Sequence, residues 1–164
     1  MTLTTHSIIA VAITKPLARM HPLLICIAAI ASHYASDSIP HWDYSVSSMD
    51  DTHDPKKRHW GTNRKALRND LTHFAIDGFL GAAIVLLAVR PVTSQQWTWT
   101  ILAIIGGSLP DFLQGVAALR INWMKPIQGF HDKWHTHIRL GPYPLFGIPF
   151  QALIAGAALY KLFI

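Results

Sequence analysis

The chain has 164 residues, of which 51% are hydrophobic and only 14% are charged, with a net charge of +5. That is enough for one domain with a sizeable core, and too little charge for an ordinary soluble surface, where about 25% is usual. The single cysteine, Cys26, excludes a disulfide framework within the chain.

Five apolar stretches follow in chain order, at 7–13, 22–36, 71–89, 97–119 and 143–163. The first is short and is preceded by His6. It has no basic n-region and no clear cleavage site, so it does not resemble a removable signal peptide. The second opens on Pro22, a favoured residue at a helix start. The third is closed by Arg90-Pro91. The fourth is interrupted by Gly106-Gly107 and Pro110-Asp111, and the fifth is apolar apart from Gln151 and Lys161.

These stretches carry Ala, Leu and Ile on all sides, the pattern of helices buried deeply or facing lipid. A bilayer core of about 30 Å needs roughly 20 apolar residues. Stretches three to five reach that length, the second is marginal and the first is too short. The expected fold is all-α: a single domain, 1–164, forming a membrane-embedded bundle of about five apolar helices with three or four spans. A soluble, unusually apolar bundle is the alternative. The connections at 14–21 and 90–96 are short. The loop at 44–70 is long, polar and basic, and 122–142 reads as an ordered loop dense in His and aromatic residues.

All nine acidic residues are Asp, and they are outnumbered by ten His. Giving up Glu gives up a good helix former, while Asp and His are natural ligands for zinc, manganese or iron. In 33–41, HYASDSIPH, His33 and Asp37 are four apart, so on a helix their Cβ atoms lie about 5–6 Å apart on one face. His41 follows Pro40 and can turn back to the same centre. His73–Asp77 repeats the spacing, and His131–His135 repeats it with two His, followed by His137.

In an up-and-down bundle His6, His33, Asp37, His41, His73, Asp77, Asp111, His131 and His135 all fall at one end. This predicts a His/Asp layer that binds metal. Asp77 and Asp111 lie within apolar helices, where an unpaired carboxylate is costly. A weak internal repeat, S-[IL]-P-[HD] at 38–41 and 108–111, suggests two hairpins of similar plan with His6 and His73 in matching places. His21, His53 and His59 read as solvated.

Most of the cationic excess lies in 56–68. Beside apolar helices such a segment points to anionic lipid headgroups rather than to nucleic acid. Lys and Arg are denser on the layer's side, which by the positive-inside tendency places the layer at the cytoplasmic face of a multi-pass protein of the cell's inner membrane.

HYASDSIPH resembles the signature of the zinc-dependent phospholipase C and P1 nuclease superfamily, H-[YF]-x-[GT]-D followed by P-x-H, with a later H-x-x-x-E. Here Ser36 replaces Gly or Thr, the final His is one residue closer, and Asp77 would replace Glu. The chain outside the loop 44–70 also resembles the YdjM-like (DUF457-type) small membrane-bound predicted metal-dependent hydrolases. The matching pieces are Thr72-His73, Gly107-Ser108-Leu109-Pro110-Asp111 and the run from His131 to His137.

The resemblance implies a membrane hydrolase acting on a phosphoester, with a phospholipid among the candidate substrates. It implies a centre of two or three zinc ions, with Asp111 or His137 as general base. The soluble members use an N-terminal Trp as a ligand where this chain has Met1-Thr2, so two ions are the closer carry-over. A non-enzymatic membrane protein that binds or transports metal is the alternative.

Overall fold

A computed structural model describes residues 1–50, 58–119 and 121–164. His53, Lys56, Lys57 and Arg120, which entered the expectations above, lie outside them. The described residues form six α-helices: α1 (Leu3–Thr14), α2 (Pro22–Asp37), α3 (Arg64–Val89), α4 (Ser94–Ala117), α5 (Lys125–Trp134) and α6 (Pro144–Lys161). No β-strand occurs among them, only isolated bridges between His41 and Arg139 and between Met49 and Trp60.

The all-α expectation holds, but its count and apolar character need correction. There are six helices rather than about five, because α5 forms where the sequence reads as a loop. Two helices, α3 and α4, are long and apolar enough to cross a bilayer, not three or four. At 1.5 Å per residue they run ~39 and ~36 Å, against ~24 Å for α2. Only 11% of the most apolar window of α3 is covered by the rest of the protein. Phe79 and Leu87 on α3 are more than 70% exposed.

Local chemistry fixes the helix ends. Asn63 Oδ1 accepts from the backbone of Lys65 and Ala66 at the start of α3. Thr93 and Gln96 form a reciprocal capping box on α4. His21, rather than being merely solvated, caps α2 by accepting from Leu23 N. α3 ends at Arg90 in the left-handed region (φ 49°), and Pro91 then bars continuation.

The shortest apolar stretch becomes the centre of the bundle. α1 packs against α2, α3, α4 and α6, and every residue from Thr5 to Ala12 is buried. A helix apolar on all sides needs such a sheath. The core joins Ile8 and Val11 of α1 to Ile25, Val85, Trp99 and Ala103. Trp99 Nε1 donates to Thr14 Oγ1 at 2.9 Å, which satisfies the indole inside that core.

Gly106-Gly107 does not interrupt α4, which is continuous through it and through Pro110. The pair is a contact point. A Cβ on Gly106 would lie 2.7 Å from Ala29 Cβ of α2, and one on Gly107 would lie 2.7 Å from Ala10 Cβ of α1. The two missing methyls bring three helices together just beneath the layer.

Candidate metal centre

α1, α2, α4 and α5 each deliver ligand-type side chains to one buried cluster. His6 comes from the first half of α1. His33 and Asp37 lie one turn apart on α2, Asp111 follows Pro110 on α4, and His131 lies on α5. His41 sits just past the end of α2, and His135 is the C-cap of α5. His6, His33, Asp37, His41 and His131 are 1–2% exposed.

Asp37 is the hub. Its Oδ2 lies 3.1 Å from His33 Nε2 and 3.5 Å from His131 Nε2. Its Oδ1 lies 3.1 Å from His6 Nε2 and 3.8 Å from His41 Nε2. Asp111 lies across from the first set, with Oδ1 3.7 Å from both His33 Nε2 and His131 Nε2. Two sets of donor atoms result, each within a 4.8 Å span: His33, Asp37, Asp111 and His131, and Asp37, His41 and His135. The two sets share Asp37. The amino group of Met1 also enters the layer, 3.1 Å from Asp37 Oδ1 and 2.8 Å from Asp43 Oδ1.

The far nitrogens of the imidazoles explain why the near ones face inward. Nδ1 of His33 lies 2.8 Å from the Gly107 carbonyl oxygen, Nδ1 of His41 2.7 Å from that of Ile39, and Nδ1 of His135 3.2 Å from that of Thr136. A carbonyl only accepts, so each Nδ1 carries the proton. In the neutral ring Nε2 then presents its lone pair to the centre, the arrangement that orients metal-ligating His. His6 Nδ1 meets the Ser36 hydroxyl at 3.1 Å.

Lone pairs facing carboxylate oxygens need a proton or a cation between them. His6 Nε2, His33 Nε2 and Asp37 Oδ2 are buried without an aligned hydrogen-bond partner among the described residues. Each such orphan costs about 1–3 kcal/mol, so their gathering around the Asp37 carboxylate fits a cation held there. Burial, reinforced by neighbouring His33, pushes His131 down to about 3 and leaves it neutral, as a metal ligand must be. Burial likewise lowers His135.

Asp43 is a member that sequence reasoning missed. Its Oδ2 lies 3.0 Å from His41 Nε2 and 3.7 Å from His135 Nε2. Burial opposes its ionisation, but the His41 contact and the Met1 amino group outweigh that and hold its carboxyl well below the usual carboxylate range. Its position two residues after His41 was the available signal. With a side chain 42% exposed, beside Asp111 at 27% and His135 at 22%, it marks the open side of the layer.

His73 and Asp77 do not join this cluster. Asp77 finds its partner at the N-terminus of α1, where Oδ2 accepts from Leu3 N at 2.7 Å and Oδ1 from Thr4 N at 3.1 Å. Free N–H groups and the helix dipole stabilise a carboxylate there. His73 lies one turn further out on α3, past the end of α1, and is exposed. His137 is also exposed, outside the two ligand sets.

The suggested repeat is therefore sequence-deep only. Pro40 lies outside α2 while Pro110 lies inside α4, although both motifs bring their last residue to the layer. His59 pairs with Asp50 at 2.8 Å and is half-buried rather than freely solvated.

The fold and the layer define a helical protein with two membrane-length helices and a buried His/Asp group able to hold metal. No family model, curated protein or solved structure matches the chain.

Proposed function

We propose that this chain is a membrane-bound, metal-dependent hydrolase of phosphoesters, with two zinc ions in the layer. The observation that carries the reading is the sharing of Asp37 between two sets of donors. One ion would be held by His33, Asp37, Asp111 and His131 with His6 alongside. The other would be held by Asp37, His41 and His135 with Asp43 alongside. Imidazole with carboxylate suits zinc, and a shared carboxylate would serve to hold two ions side by side, as in two-metal phosphoesterases. Such ions, when bound, supply Lewis acidity for activating water and neutralising a phosphoryl oxygen.

The protein's own groups supply the rest. The side lined by Asp43, Asp111 and His135 admits substrate. Asp111 takes the proton of the attacking water, a role better suited to it than to exposed His137. Arg139, exposed and with its backbone paired to His41, binds the phosphate. Phe112, Phe130 and Trp134, all about half or more exposed, are sequence neighbours of Asp111, His131 and His135, suit a lipid interface and favour a phospholipid substrate. The likeness to YdjM-like hydrolases and the cationic start of α3 (Arg64, Lys65, Arg68) agree with an inner-membrane protein whose layer faces the cytoplasm.

Elemental analysis of the detergent-purified protein, with phosphodiester hydrolysis measured in parallel, tests this. About two zinc per chain is expected, with loss of metal and activity in His33→Ala. Absence of stoichiometric metal overturns the reading, and metal without hydrolysis of diesters or phospholipids turns it toward a binding or transport role.

A further inference from the structure

The end of the bundle opposite the layer has a different chemistry. Lys15, Arg19, Arg90 and Lys161 lie there, at the ends of α1, α3 and α6 and in the turn before α2. All nine Asp fall elsewhere in the chain. Among the described residues no Asp is paired with these cations.

Between the end of α3 and the start of α4 lies a cavity of about 610 Å³. Lys15 and Arg19 supply its charge, Gln95 its polar lip, and Val89, Trp99 and Leu162 its apolar walls. Lys15 Nζ donates to the Leu162 carbonyl at 3.2 Å, which fixes the ammonium at the rim. The cavity opens where the two membrane-length helices end, at headgroup depth for a bilayer that α3 and α4 cross.

We propose that this cavity binds the headgroup of an anionic phospholipid. The phosphate meets Lys15 and Arg19, and the upper acyl chains lie along Val89 and Leu162. Two cations with no Asp partner among the described residues, an apolar wall and a depth matching the interface are what such a ligand requires. The proposal rests on the membrane part of the reading above, but not on the metal chemistry.

The test is equilibrium binding of fluorescent phosphatidylglycerol to the full chain in neutral detergent, against phosphatidylcholine and inorganic phosphate. Lys15→Gln with Arg19→Gln is expected to weaken phosphatidylglycerol binding about thirtyfold, at about fivefold per charge. Gln95→Glu adds a carboxylate to the lip without removing a helix contact, and is expected to weaken it about fivefold with the helical fold unchanged. Metal content should stay constant in all three proteins, since the layer lies at the other end. Equal affinity for phosphatidylcholine, or unchanged binding in both variants, overturns the proposal. Inorganic phosphate competing at the affinity of the lipid overturns it in favour of a small-anion site.

Discussion

α1 and α3 start from the same end of the bundle and are both rich in apolar residues, yet they meet opposite surroundings. α1 is 12 residues long and is buried continuously from Thr5 to Ala12. α3 is 26 residues long and buries only Asp70, Gly81 and Val85. The difference shows that hydrophobicity alone does not say what covers a helix. Protein covers α1 on every face, while most of α3, long and apolar enough to cross a bilayer, is left uncovered by the rest of the protein. The same difference decides which histidine enters the layer. His6 lies one turn inside α1 and is enclosed, whereas His73 lies one turn beyond the contact of Asp77 with α1 and is exposed.

The sharpest break of this comparison is a pair of alanine substitutions. His6→Ala should lower zinc affinity by at least tenfold, while His73→Ala should leave it unchanged, as read by metal titration of the apo protein. Equal losses would show that α3 contributes to the layer after all. Next in size, Gly107→Val forces a branched side chain onto Ala10 Cβ and the His6 carbonyl. It should cost roughly 3 kcal/mol or more in stability, at the upper end of overpacking effects, measured by denaturant unfolding in detergent.

Asp77→Asn keeps the shape but removes the charge at the head of α1, and should cost about 1 kcal/mol in the same assay. The apo protein should also lose stability as pH falls below about 6.5. His131 titrates near 3 when folded and near 6.5 when unfolded, so between these values the unfolded chain binds more protons. A stability profile flat from pH 7 to pH 4 would contradict this. The smallest effect belongs to the outer face of α3. With Cys26 replaced, Phe79→Cys and Leu87→Cys should leave stability nearly unchanged while reacting with lipid-soluble rather than water-soluble thiol reagents.

The layer was legible where spacing and burial coincide. His33 and Asp37 sit four apart on a helix whose inner face is fixed by its packing on α4, and the motif identified both. Asp111 and His131 were legible as polar residues in apolar or aromatic company. The same i,i+4 rule failed at His73–Asp77, because spacing places two residues on one face without saying how far the neighbouring helix extends along it. Asp43 was overlooked because it belongs to no helix and reaches the layer only through the turn after Pro40. α5 read as a loop because Pro126 and Gly129 obscure its ten residues. The glycine pair in α4 read as a break, since close helix contact and chain interruption use the same residue.

Asp37 offers one oxygen to each set of donors, and this links their occupancies. A cation on Oδ2 draws charge from the carboxylate and repels a second cation on Oδ1. By reciprocity the second weakens the first to the same extent. In the two-ion reading proposed above, loading would be a pair of coupled equilibria, filled in two steps of unequal affinity, with the weaker ion the first to leave under a chelator.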